Sequence, residues 1–97
     1  MRRYYVYMLL CGDGSYYIGV TNNLDLRVAQ HQDGADTHCY TFLRRPLSLV
    51  YATEFDDPNR AISWEKQLKG WSRKKKQALA DSDWEQIKLL SRRSSLR

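Results

Sequence analysis

The stretch YYVYMLLCGDGSYYIGV, residues 4–20, holds five of the chain's seven tyrosines. Its even positions are Tyr4, Val6, Met8 and Leu10, then Tyr16, Ile18 and Val20; the odd ones are Tyr5, Tyr7 and Leu9, then Tyr17 and Gly19. Successive side chains of a strand face opposite sides of a sheet, so each parity marks one face. Aromatic residues suit strands and Asp-Gly is a tight-turn signal, so the stretch predicts a β-hairpin. A turn centred on Gly12 or Asp13 makes cross-strand partners share parity, which puts Tyr7 and Tyr17 on one face, close to opposite each other. The even face is the greasier one and predicts ordinary core. The tyrosines are there either as strand formers or for their hydroxyls.

A helix is expected next, with Asn22 or Asn23 as its cap, Asp25 in its first turn and Gly34 at its end. Leu24 and Val28 give it a short apolar stripe, and Arg27 and His31, four apart, stack at the edge of that stripe. A loop over residues 34–45 ends in Arg44-Arg45-Pro46, and LSLVYATEF, residues 47–55, reads as a third strand. Asp56 or Asp57 then caps a helix with Pro58 at its first position. Ala61, Trp64 and Leu68 mark its buried stripe. Glu65 falls inside the stripe, where a carboxylate is costly unless compensated. Lys69, four residues on, is one compensation; a metal ion is another. Gly70 ends this helix, Ser72 caps a third beginning RKKKQALA, and the residues Asp81 to Asp83 cap a last short helix through Leu90. The expected architecture is α/β: a small antiparallel three-stranded sheet packed with helices in ββαβαα order, one domain over residues 1–90, and a disordered basic tail at 91–97.

A chain of 97 residues makes one domain, and 42% hydrophobic content indicates a folded globule. The net charge of +5 suits a polyanion such as nucleic acid. No apolar run reaches the roughly 18 residues of a membrane span, and no signal-peptide pattern opens the chain. Cytoplasm is therefore the expected location, with no membrane partner. Cys11 and Cys39 make no disulfide framework, and with His31 and His38 they lack the C-x-x-C pairing of a zinc site.

Tyr7 with Tyr17, Arg27 with His31, and Glu65 are each ordinary when taken singly. Together they supply what phosphodiester hydrolysis requires: an activated water, a cation on the non-bridging oxygens, and something to neutralise the leaving alkoxide. Tyr5-Val6-Tyr7, nine intervening residues, then Tyr17-Ile18-Gly19 resembles the signature of the GIY-YIG nucleases. Arg27, His31 and Glu65 follow in the order that family carries them. The chain is most similar to the small standalone bacterial members, which share the Asp13-Gly14-Ser15 hairpin, Arg44-Arg45-Pro46 before the third strand, and a Glu65-Lys66 to Lys69-Gly70-Trp71-Ser72-Arg73 helix end. The resemblance runs from about residue 4 to residue 80. Tyr-Val-Tyr stands in place of Gly-Ile-Tyr but keeps Tyr7 at the working position. Larger members carry a polar residue, often asparagine, after the glutamate, and no residue here is assigned to that place.

The resemblance implies a metal-dependent endonuclease that hydrolyses DNA, directed by DNA structure and linked to repair or recombination. It implies Tyr7 as general base, Tyr17 as an orienting hydroxyl, Arg27 on the phosphoryl charge, His31 in proton movement or leaving-group stabilisation, and Glu65 as the ligand of one Mg²⁺ or Mn²⁺. A phenol near pKa 10 is a poor base at pH 7, so metal and Arg27 are expected to lower it by about two or three units. Arg44, Arg45, Lys69, Arg73, Lys74, Lys75 and Lys76 form the expected docking surface for DNA backbone. Trp71 among them either stacks a base or, the favoured reading, packs in the core. Two other readings stand beside this one. The chain is a catalytically weak or inactive nucleic-acid-binding module acting with a protein partner, or it is an interaction domain whose aromatic residues hold a protein. A monomer is expected.

Overall fold

The hairpin forms as the alternation requires, in a computed structural model that describes residues 2–95. Strand β1, Tyr4–Cys11, pairs antiparallel with β2, Tyr16–Thr21. The β1–β2 turn is closed by Asp13, whose carboxylate accepts from the Ser15 main-chain N–H and hydroxyl, and Gly14 takes the positive φ of 85° that such a turn needs. Strand β3, Leu47–Phe55, joins the other side of β1, giving the order β2-β1-β3. Tyr7 lies opposite Gly19 on β2 and Ala52 on β3, while Tyr17 lies opposite Leu9. Tyr7 and Tyr17 thus share a face as diagonal neighbours, their ring centres 6.4 Å apart.

Helix α1, Leu24–Asp33, is capped by Asn23, which accepts from the Leu26 N–H, and closes on Gly34 with φ at 68°. Asp57 caps α2, Pro58–Lys69, and Ser72 caps α3, Arg73–Ala80. Asp83 accepts from the Gln86 N–H at the start of α4, Trp84–Ser95. The order is therefore ββαβααα. Helix α4 runs five residues past Leu90, through the first part of the stretch expected to be a disordered tail, because nothing in SRRSS breaks a hydrogen-bond ladder once begun. Leu96 and Arg97 lie outside the described residues.

The even face of the hairpin is core, as its composition demands. Val6, Met8 and Ile18 pack against Ala61 and Leu68 of α2, Ala78 and Leu79 of α3 and Ile87 of α4. The odd face is buried too. Tyr7, Leu9, Cys11 and Leu47 form a second cluster, roofed by Tyr17 and by Leu24 and Val28 of α1. Among the described residues no helix is long and apolar enough to cross a membrane.

Candidate active site

The tyrosine parity and the helical spacing of Arg27 and His31 converge on the odd face. His31 is buried and its Nε2 lies 2.8 Å from the Tyr7 hydroxyl oxygen. Arg27, one turn earlier on α1, donates to the same phenol oxygen. Tyr17 packs edge-on against the His31 ring at 5.1 Å. Glu65 sits on α2, on the other side of the sheet, yet its charge is felt at Tyr7. The connection passes round the edge strand β2. Lys69, bound to Glu65 at 3.2 Å, lines a groove with Tyr16, Tyr17, Ile18, Tyr40 and Lys76, so residues of both parities of β2 meet α2 there.

Electrostatics set the roles. Burial raises the Tyr7 phenol above its ordinary value, and the Arg27 hydrogen bond and charge pull it back only in part. The protein groups around Tyr7 therefore do not by themselves make a phenolate; of the two groups expected to lower it, metal and Arg27, Arg27 acts in that direction. Tyr17 is pushed up to about 12, chiefly by burial and then by the proximity of Tyr7. His31 is lowered below 6.5 by burial and by the Arg27 charge, so its imidazole is neutral at pH 7. Arg27 itself is raised by its bond to Tyr7 and stays charged.

Thr41 and Tyr40 were not singled out by the sequence, and Gly19 of the second motif and Cys39 were given no role in the site. Gly19 lies against the hydroxyl end of the Tyr7 ring: a Cβ there would run into the phenol oxygen and stand 2.6 Å from Tyr7 Cζ. A glycine inside a strand is the signal of such a close approach. Thr41, 1% exposed, places its Oγ1 2.8 Å from His31 Nδ1. Its hydroxyl donates to Cys39 Sγ at 3.5 Å. Burial by itself would raise the Cys39 thiol, but hydrogen bonds from the Thr41 hydroxyl and main-chain N–H and from the Tyr17 hydroxyl outweigh it, leaving the thiol below its usual value. Tyr40 stacks on Tyr17 at 6.1 Å, and Arg44 lies 3.7 Å over the Tyr40 ring. A cavity of about 250 Å³ opens on the Nδ1 side of His31, lined by Arg27, Gln30, Asp36, Cys39 and Thr41 among others.

The seven basic residues separate into groups. Arg44 is tied to Asp13 at 3.1 Å and to the Tyr40 carbonyl, and Arg45 to the Phe42 carbonyl and ring. Both brace the loop before β3. Arg73 donates to the Gly14 carbonyl and covers Tyr16, joining α3 to the hairpin turn. Lys75 covers Trp71, whose edge packs on Trp64 at 5.5 Å. Trp71 is half-buried against the larger core cluster, in keeping with the packing reading. Lys69 and Lys76 are the two that flank the groove at Tyr17, and Lys74 stands exposed on the outer side of α3.

Glu65 is a single carboxylate, its side chain 14% exposed, and among the described residues no group of three His, Cys, Asp or Glu is placed to hold an ion. One such oxygen ligand fits Mg²⁺ or Mn²⁺ bound jointly with waters and substrate phosphate, the usual manner of Mg²⁺, and does not fit an all-protein cage.

The GIY-YIG catalytic domain matches residues 3–78. A UPF0213 protein of Staphylococcus saprophyticus is 38% identical over 76 residues, covering 78% of this chain and 92% of that protein. A UPF0213 protein of Natronomonas pharaonis is 41% identical over 76 residues, covering 78% and 88%. The solution NMR structure of a UPF0213 protein from Bacillus halodurans is similar with a TM-score of 0.53 and 39% identity, covering 81% of this chain and 83% of that one. A solution NMR structure of a protein from E. faecalis gives a TM-score of 0.59 and 32% identity, covering 84% and 86%. The chain belongs to the GIY-YIG family of nuclease domains.

Proposed function

We propose that this GIY-YIG protein is a divalent-metal-dependent endonuclease that hydrolyses DNA phosphodiester bonds, directed by DNA structure and serving repair or recombination. The observation that carries the reading is the Tyr7 phenol, held between a neutral imidazole and a permanent cation. A buried phenol with a raised pKa is a poor preformed base but a good relay. Tyr7 takes a proton from the attacking water as its own passes to His31 Nε2, which leaves hydroxide on phosphorus and an imidazolium in the site. Arg27 pairs with a non-bridging phosphate oxygen, and Tyr17, protonated throughout, orients the water or phosphate. Glu65 would hold Mg²⁺ or Mn²⁺, which supplies charge for the phosphate and the departing oxygen. Lys69, now on Glu65, is then released toward the groove it already lines.

The test is incubation of the protein with flaps, forks, junctions, nicked and plain duplexes, with and without Mn²⁺. Tyr7→Phe should lower turnover about 10²-fold or more, the scale of a missing positioned acid–base group. Glu65→Gln should abolish the Mn²⁺ response while DNA affinity is kept. Wild-type turnover in either variant overturns the assignment. Lys69 on the metal carboxylate favours the binding-module reading, which salt-sensitive affinity without cleavage across the panel would establish.

A further inference from the structure

Thr41 belongs to neither short motif, yet it is the loop residue most completely enclosed by the site. A buried hydroxyl needs partners for both its proton and its lone pairs. With its proton on Cys39 Sγ, the hydroxyl meets His31 Nδ1 at 2.8 Å with a lone pair, and the nitrogen is then the donor; Cys39 Sγ lies 3.9 Å from the same nitrogen. An imidazole protonated on Nδ1 is bare on Nε2, and Nε2 then accepts from the Tyr7 hydroxyl at 2.8 Å. One direction of donation thus runs from Tyr7 through His31 and Thr41 to Cys39.

We propose that Thr41 is a positioning residue for cleavage: it holds His31 in the Nδ1–H tautomer and so aims a free Nε2 lone pair at Tyr7. This rests on the reading that Tyr7 passes its proton to His31. Without the hydroxyl, a buried Nδ1–H would keep only Cys39 Sγ at 3.9 Å, a weak and distant acceptor, so the ring moves its proton to Nε2. The nitrogen facing Tyr7 is then a donor, and the relay has no acceptor. In this role Thr41 acts through His31 and not on the reacting atoms.

The tautomer is read directly from the imidazole ¹⁵N shifts of His31 in the intact protein, with no dependence on cleavage. Wild type and Thr41→Ser, which keeps the hydroxyl, should show Nδ1–H. Thr41→Val, which keeps the β-branched shape, should show Nε2–H, with kcat lowered about 10²-fold or more and KM nearly unchanged. Thr41→Ser should recover most of that loss. A wild-type His31 protonated on Nε2 overturns the proposal whether or not any variant folds, as does an unchanged tautomer in Thr41→Val. If the tautomer responds as expected while wild type cleaves nothing, the positioning of His31 by Thr41 stands and the endonuclease reading falls.

Discussion

Gly19 should be intolerant of a single methyl group, and intolerant only because of Tyr7. An alanine Cβ at this position would stand 2.6 Å from Tyr7 Cζ and 2.9 Å from Cε1. Ordinary carbon contacts lie at about 3.5–4.0 Å, so the ring must withdraw by roughly 1 Å. Tyr7 is fully buried among Leu9, Leu47 and α1, and has little room to withdraw. Overpacking of this kind typically costs about 1–3 kcal/mol. In a domain of this size about 1 kcal/mol lowers Tm by roughly 4–8 °C, so Gly19→Ala should melt about 5–20 °C early. The intrinsic preference has the opposite sign, since alanine in a strand is better than glycine by about 0.5–1 kcal/mol. Tyr7→Val keeps a strand former but removes every atom that the new methyl would meet. In that background Gly19→Ala should therefore be neutral or stabilising, and the two substitutions should be strongly non-additive. Urea denaturation of the four proteins, followed by circular dichroism, closes the cycle without any need for substrate. Equal effects of Gly19→Ala in both backgrounds would refute the close approach of Tyr7 as the reason for this glycine.

Two further outcomes follow from the charges. His31 titrates lower in the folded chain than its ordinary 6.5, first through burial, so just below pH 6.5 the unfolded chain holds more protons and stability falls as pH drops through that window. The pH dependence of Tm should show this loss in wild type and lack it in His31→Gln; an identical acid limb in both would remove His31 as its source. On α3, Lys74→Gln with Lys76→Gln should weaken binding to all DNA sequences alike and flatten the salt dependence, by about 0.9 in log–log slope for each phosphate no longer neutralised. Arg44→Gln should instead lower Tm with the slope unchanged, because its charge is spent on Asp13 and Tyr40. An unchanged slope in the lysine variant places the docking surface elsewhere.

What was legible in the sequence is what local periodicity fixes. Parity alone put Tyr7 and Tyr17 on one face, and a four-residue spacing alone put Arg27 beside His31, because side-chain direction follows from backbone geometry within an element. The cap Ser72 was readable for the same reason, and Asn23 and Asp57 each as one of two neighbouring residues. Glu65 was visible as an anomaly in an apolar stripe, but that its charge is felt at Tyr7 depends on how α2 packs on the sheet, which no pattern within α2 records.

The loop between α1 and β3 shows why the remainder was hidden. Residues 35–45 have no long regular element, so no period links a residue there to its function. Their partners lie far away in sequence: Thr41 on His31, Tyr40 on Tyr17, Arg44 on Asp13. The Arg44-Arg45-Pro46 run reads as a cationic surface because composition counts charge and cannot see Asp13 across the hairpin turn. Each of these contacts ends on the hairpin or on α1, and each constrains a group of the candidate site. The Gly12 N–H, bonded to the Arg44 carbonyl at 2.7 Å, fixes the loop's far end to the same turn that Asp13 holds. A loop so anchored at Gly12, Asp13, Tyr17 and His31 cannot shift without moving the rings that would do the chemistry. Its sequence is therefore constrained by the site and not by any propensity of its own, and only the folded arrangement could disclose that.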